Sequence, residues 1–295
     1  MENSRLPANF DAPEARSNYF CTSFTVFIYE FIGTFTLVGV INATKGNAPA
    51  IGLTLFFLLL LCGPITGAHL NPAVTLGVWL NKVRSEANPG SITFQMVNMM
   101  AAQVCGALLG MFVFLQVLDR LNGEKVINRD DFPHLKATTQ GAGQAEFVEM
   151  FCTFIFVAAN LLVKDSVAGK YSARIGTEPV AFLGCAIIAC TLSGMIMFAG
   201  PHTGASINPA VSIAQTVMAK TYLQESVSAR YFWVVYMMGP FVGAMFAGVA
   251  SWLHATALRD HGPLECAAKE SVQKNEDDPE KKPMIEKMAE ALKQD

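Results

Sequence analysis

Two copies of one short motif carry side-chain amides that could contact a small polar molecule. The stretch Gly67-Ala-His-Leu-Asn-Pro-Ala-Val-Thr-Leu76 shares six of its ten residue types with Gly204-Ala-Ser-Ile-Asn-Pro-Ala-Val-Ser-Ile213. In each copy, Asn is suited to cap a helix and Pro to occupy its first position. An asparagine whose oxygen caps a helix keeps its N–H donors. The duplicated motif residues are Asn71, Pro72, Ala73, Asn208, Pro209 and Ala210.

Two glutamates lie at matching places in apolar stretches. Glu30 begins Glu-Phe-Ile-Gly-Thr-Phe, and Glu149 begins Glu-Met-Phe-Cys-Thr-Phe. An ionisable group inside a membrane span is costly unless its polar atoms are satisfied, so a functional role is the first expectation for both. One alternative is a proton relay, which would make the protein a coupled transporter.

The elements that must position these residues are membrane helices. The chain has 295 residues, of which 52% are hydrophobic and 15% charged, with a mean hydropathy of +0.35. This composition predicts a polytopic membrane protein. The net charge of −3 offers no basic surface for nucleic acid, and the seven cysteines show no spacing typical of disulfides or a metal site. We therefore expect no metal and no cofactor. Because no nucleophile, base and orienting group occur together near a motif, we also expect no enzymatic activity.

Six apolar runs are long enough to span a bilayer, which needs about 20 helical residues. They lie at 24–43, 48–66, 92–118, 146–163, 179–200 and 231–253. The helices predicted at 71–80 and 208–219 are too short to cross, because nine residues rise only about 14 Å. Three spans per half invert the second half relative to the first, so the two short helices would meet at the midplane. A Gly-xxx-Gly pair in the third span and another in the sixth, ending at Gly110 and Gly243, predict close helix crossings.

The repeat also divides the chain. We predict a cytoplasmic N-terminal segment (1–23), a first channel repeat (24–118), a connecting loop (119–144), a second channel repeat (145–258) and a cytoplasmic tail (259–295) with a short amphipathic helix at 284–292. Since residues 1–23 contain no apolar run, no cleavable signal peptide is expected. The even number of spans places both termini on the same side of the membrane, and together with the unprocessed N-terminus it predicts that this side is the cytoplasm.

Together these motifs, with Ala101-Ala-Gln103 and Gly239-Pro-Phe-Val-Gly243, resemble the major intrinsic protein family, the aquaporins. The resemblance covers residues 24–253. It implies an all-α membrane protein with six transmembrane helices and two re-entrant half-helices in an inverted repeat, usually a homotetramer with one pore per subunit. It also implies that Glu30 and Glu149 support the loops that lead into the half-helices.

The sequence departs from the family at Val211, where most members carry an arginine in the selectivity filter. Counting from the asparagines, the predicted filter residues are Ile51, Ile196, Ala205 and Val211. All four are apolar, so the filter has no fixed charge and no side-chain donor. Such a pore either admits neutral solutes larger than water or dewets and conducts poorly.

The predicted function is a passive channel for water and small uncharged solutes such as glycerol, urea or ammonia. Two family markers disagree on the solute, since Ser212 is typical of water channels whereas Met237 stands where those channels carry Trp. The alternatives are a poorly conducting scaffold or adhesion protein that acts through its tail, and proton-coupled transport through the two glutamates. His69 and His202 could sense pH or simply pack within the loops. The expected location is the plasma membrane or an internal, vacuolar membrane.

Overall fold

The computed structural model describes residues 13–83, 89–122, 141–168, 177–221 and 228–261, and these residues form helices joined by short connections. The long helices are α1 (Pro13–Ala43), α2 (Ala48–Thr66), α4 (Pro89–Asn122), α5 (Ala142–Ala168), α6 (Thr177–Thr203) and α8 (Gly239–His261). The short helices are α3 (Pro72–Lys82) and α7 (Pro209–Thr221). A helical turn, Ala229–Tyr231, and a π-helical segment, Phe232–Met238, lead directly into α8.

The prediction of six spanning helices is confirmed. Six helical segments of the described residues are long and apolar enough to cross a bilayer, with mean hydropathies of 1.6 to 2.2. The second helix has the predicted bounds 48–66, but α1 begins at Pro13 instead of 24 and α4 continues to Asn122. Hydropathy marks only the part of a helix that contacts hydrocarbon, whereas the helical hydrogen bonds continue into polar sequence. The predicted connecting loop is shortened for the same reason, and its residues 123–140 lie outside the described part.

The outer surface supports this membrane assignment. Large apolar side chains point away from the protein, and Leu53, Phe24 and Trp233 have 71%, 67% and 60% of their surface exposed. A soluble protein rarely exposes contiguous apolar surface on this scale, whereas lipid tails solvate it.

Close helix crossings at the paired glycines are also confirmed. A Cβ added at Gly110 would collide with the Phe35 carbonyl oxygen of α1, and one added at Gly243 would collide with the Met150 carbonyl oxygen of α5. The two halves therefore use the same device, in which a glycine lets one helix backbone touch another. These crossings fix α1 against α4 and α5 against α8, and thereby place one glutamate beside each re-entrant loop.

Two compact units can be distinguished, residues 1–251 and residues 252–295. The first contains the first channel repeat, the second channel repeat up to residue 251, and all the motif residues. In the second, the described part is the end of α8 up to His261. The amphipathic helix predicted at 284–292 lies outside the described residues.

Candidate pore

Each half-helix begins at an asparagine that caps it. Asn71 has an extended backbone (φ −158°, ψ 121°), and its Oδ1 accepts a hydrogen bond from the Ala73 N–H at 2.8 Å. In the second half, the Asn208 Oδ1 accepts from the Ala210 N–H at 3.0 Å. The caps satisfy N–H groups that have no partner within the helix. They also fix the direction in which each amide nitrogen points.

The two asparagines bind each other's loop. The Asn71 Nδ2 donates to the Ile207 carbonyl at 3.0 Å, and the Asn208 Nδ2 donates to the Leu70 carbonyl at 2.9 Å. Each amide nitrogen carries two N–H groups, so this reciprocal pair uses one and leaves a second donor on each side chain. The N-termini of α3 and α7 are thereby held together.

Glu30 anchors the first loop. Its Oε1 accepts hydrogen bonds from the His69 N–H (3.0 Å) and the Thr66 hydroxyl (2.6 Å). Its Oε2 accepts from the Leu70 N–H (2.8 Å) and the Gln103 side-chain amide (2.7 Å). The carboxylate is completely buried and has four donors around it, so its polar atoms are well satisfied.

Glu149 anchors the second loop in the same way. Its Oε1 accepts from the Ser206 N–H (3.0 Å) and the Thr203 hydroxyl (2.6 Å), and its Oε2 accepts from the Ile207 N–H (2.7 Å). This glutamate is also completely buried. It has counterparts of three of the four donors that surround Glu30, and the described residues provide no counterpart of the side-chain amide.

The anchored loops have an unusual backbone. Residues with positive φ angles between 45° and 86° occur at matching places in both loops: Gly67, Ala68, Leu70, Gly204, Ala205 and Ile207. For residues other than glycine this conformation costs on the order of 1 kcal/mol each. The bonds to the buried carboxylates offset that cost, because they hold successive loop N–H groups in place.

The four predicted filter residues surround one central cavity. Ile51 and Val211 are each 3% exposed, Ala205 is 9% exposed, and Ile196 is half-buried. The same cavity is lined by both asparagines, so the structure brings the predicted filter and the two motifs together. Its remaining apolar lining comes from Leu37, Ile41, Leu55, Leu70, Phe156 and Leu192.

Sequence reasoning did not single out Gln215, a polar residue of the cavity wall. Gln215 lines the cavity and is only 3% exposed, and its Oε1 has no hydrogen-bond partner among the described residues. It follows Val211 by four residues in α7, so helical periodicity could have placed both on one face. The repeated motif ends at Ile213, two residues before Gln215.

The two histidines occupy different surroundings. His69 lines the cavity, and its Nδ1 lies 3.2 Å from the Thr75 hydroxyl. His202 is half-buried, with its ring 6.1 Å from the ring of Phe198, and it is not among the residues that line the cavity.

The π-helical segment supports the second loop from behind. Tyr236 is buried, and its hydroxyl donates to the Thr203 carbonyl at 2.8 Å. The Ser212 hydroxyl contacts the Tyr236 carbonyl at 3.2 Å and the Ser206 hydroxyl at shorter range. Ser212 is thus completely buried among loop and helix atoms.

Comparison with known proteins yields consistent matches. The family model described as Major intrinsic protein matches residues 42–251. A protein named Glycerol uptake facilitator protein-like 6 from Lactiplantibacillus plantarum is 30% identical over 230 residues, covering 75% of this chain and 94% of the relative. Aquaporin AqpM from Methanothermobacter marburgensis is 30% identical over 261 residues, with the same coverage of the two chains. The solved structure of an aquaglyceroporin from Plasmodium falciparum has a similar fold, with a TM-score of 0.63, 20% identity, and coverage of 78% of this chain and 96% of that one.

Proposed function

The chain belongs to the major intrinsic protein family, and from that premise we propose that it is a passive transmembrane channel for water and small uncharged solutes. One observation carries the proposal: two inverted half-helices meet at asparagines that bind each other's loop beside a single cavity. The names of two relatives, a glycerol uptake facilitator-like protein and an aquaporin, support a channel over a non-conducting scaffold.

Asn71 and Asn208 orient the permeant. Each presents one amide N–H that is not used by the reciprocal bonds, and a passing hydroxyl, carbonyl or water oxygen accepts it. The N-termini of α3 and α7 add about half a positive charge each at the same place. A cation or an excess proton is therefore repelled, while a neutral molecule passes.

Ile51, Ile196, Ala205 and Val211 set the size and polarity of the passage. With Val in place of a cationic side chain, the constriction loses a fixed charge and gains room. The passage then tolerates solutes larger than water, such as glycerol or urea, because their carbon atoms meet an apolar wall. Ammonia fits the same description.

Glu30 and Glu149 position the loops and do not relay protons. Each carboxylate accepts three or four hydrogen bonds, from loop N–H groups, hydroxyls and an amide. Protonating either would break bonds to the loop that it holds. Solute entry should therefore leave the internal pH of a vesicle unchanged, and a solute-dependent pH change would favour coupled transport.

The protein acts as a multi-pass membrane protein, and we assign it to a homotetramer with cytoplasmic termini. Its two repeats, 24–118 and 145–258, are joined by the connector 119–144. A plasma-membrane or vacuolar location is equally compatible with this organisation. Chemical crosslinking in native membranes measures the subunit number, and protease access to tagged termini measures their side.

Stopped-flow measurements on proteoliposomes test the channel function. When sucrose is added outside, vesicles containing the purified protein should lose water and shrink faster than empty vesicles. When glycerol or urea is added outside instead, they should also reswell faster as the solute enters. Inserted, folded protein that raises none of these rates above those of empty vesicles would refute the proposal.

A further inference from the structure

Gly52 on α2 and Ser193 on α6 form a close contact between the two helices. The Ser193 hydroxyl lies 3.1 Å from the Ala48 carbonyl oxygen of α2 and 3.2 Å from the Ala189 carbonyl oxygen of its own helix, so it can donate to either. A Cβ added at Gly52 would collide with that hydroxyl and would lie 3.0 Å from the Ala189 carbonyl oxygen. The two helices therefore approach each other as far as a glycine and a short polar side chain allow.

This contact lies beside the wall of the cavity. The apolar side chains that α2 and α6 contribute to that wall are Ile51, Leu55, Leu192 and Ile196. Gly52 directly follows Ile51, and Ser193 directly follows Leu192. Ile51 and Ile196 also belong to the predicted filter, so each helix carries one filter residue within three positions of the contact.

The spacing of the two helices at this contact governs the spacing of those filter residues. Packed helices transmit strain, so a shift at the contact is passed on to side chains within one turn of it. Because α2 and α6 both contribute to the wall, moving them apart lengthens the perimeter of the opening. In a constriction whose four predicted side chains are all apolar, the width decides which solutes enter.

We propose that the contact between Gly52 and Ser193 sets the upper size limit for uncharged solutes, with both acting as positioning residues for Ile51 and Ile196. Neither Gly52 nor Ser193 is among the residues that line the cavity, and both act through the helices that carry the filter. This inference rests on the proposed channel function and deepens it, because it names the part of the protein that limits solute size. The solutes concerned are polyols longer than glycerol, which the wild-type width should hold back.

The test measures water, glycerol and erythritol permeability in proteoliposomes containing Gly52→Ala, Ser193→Ala or both substitutions. In Gly52→Ala the added methyl group displaces the Ser193 hydroxyl and presses on the Ala189 carbonyl, so α2 and α6 must separate. We expect the ratio of erythritol to water permeability to rise by about threefold. Ser193→Ala removes the hydrogen bond to Ala48 without adding bulk, and should raise the ratio by a smaller factor.

The double variant distinguishes a change of width from general damage. When Ser193 is also replaced by alanine, the methyl group added at Gly52 enters the space that the hydroxyl leaves. The helices can then approach again, and the ratio of erythritol to water permeability should return toward the wild-type value.

Gly184→Ala is the matched control. Gly184 is another buried glycine of α6, and a Cβ added there would collide with the Val163 side chain of α5. Neither residue is among those that line the cavity. This variant should therefore lose stability on heating while keeping the wild-type ratio of erythritol to water permeability.

An unchanged ratio in Gly52→Ala overturns the inference, as does an equal rise in Gly184→Ala or a double variant that keeps the full rise. Should Gly52→Ala not fold, Ser193→Ala decides by itself, and a wild-type ratio in that variant overturns the inference.

The wild-type protein separates this inference from the proposed function. If wild type passes water but not glycerol, the channel stands, and the inference then requires measurable glycerol entry in Gly52→Ala; without that entry it is overturned. If wild type passes nothing, the channel proposal itself fails, and the inference fails with it.

Discussion

The first and second re-entrant loops are built on the same bonds but differ in the side chains that reach the cavity. Both have a buried glutamate, a threonine hydroxyl and two loop N–H groups in equivalent contacts. The first loop brings His69 to the cavity where the second brings Ser206. Among the described residues, the first half-helix contributes no lining residue after Asn71. The second half-helix contributes Val211 and Gln215. The shared contacts hold each loop in place within its own half, and we propose that the differing residues determine which solutes pass.

The largest effect is expected from removing the anchors. Glu30→Ala and Glu149→Ala each leave several buried loop donors without an acceptor, so each should destabilise the protein by roughly 3 kcal/mol or more. Because Glu30 has four donors and Glu149 has three, Glu30→Ala should be the more severe. Thermal unfolding in detergent measures both. Equal melting temperatures for wild type and variants would contradict the anchoring role.

Breaking the reciprocal bonds should have the next largest effect. Asn71→Ala and Asn208→Ala each remove a helix cap and one bond to the opposite loop, at an expected cost of about 2 kcal/mol each. The double variant tests whether the bonds act as a pair. Its loss of stability should differ measurably from the sum of the single losses, since the two side chains support the same junction. Strict additivity would indicate independent caps.

Placing a cation at Val211, which lines the cavity, should change selectivity. Val211→Arg is expected to lower the ratio of glycerol to water permeability by about tenfold, because a long charged side chain narrows the passage and binds water. Water flow should persist. Val211→Leu is the control, since it adds bulk without charge. If the arginine variant keeps the wild-type solute range, the predicted filter position is wrong.

The smallest effect concerns the extra donor of the first loop. Gln103→Met removes the amide that binds both the Glu30 carboxylate at 2.7 Å and the Thr75 hydroxyl at 2.9 Å. We expect a loss of about 1–2 kcal/mol in the free energy of unfolding. Tyr236→Phe, which removes the bond to the Thr203 carbonyl in the second half, is the matched comparison. A loss for Tyr236→Phe much larger than that for Gln103→Met would contradict the stronger support expected for the first loop.

Much of the fold could be predicted because the relevant signals are local. The starts of α3 and α7 follow from Asn-Pro, and the six spans follow from apolar runs, so both were placed from short stretches of sequence. The helices α1 and α4 extend beyond the predicted spans, to Pro13 and Asn122, since polar residues can continue a helix beyond the apolar run. The π-helical segment at Phe232–Met238 has no comparable signal in the residue types.

Most residues of the candidate pore could be predicted from the sequence, but the hydrogen bonds between them could not. Repetition singled out the asparagines and glutamates, yet the reciprocal contacts join residues 136 and 138 positions apart and arise only from the folded arrangement. Gln215 was missed because it lies beyond the repeated motif, and its place in the cavity wall follows only from the folded arrangement.

The reciprocal asparagine bonds also bear on how the protein is made. The Asn71 side chain emerges 136 residues before the Ile207 carbonyl that it binds. At a synthesis rate of about 5–20 residues per second, this delay is on the order of ten seconds. During that time the first re-entrant loop must wait in the membrane without its partner, and only Glu30 and its own half can hold it. We therefore expect nascent chains arrested before residue 207 to be the form most sensitive to membrane quality control, and pulse-chase degradation of such truncated chains measures this directly.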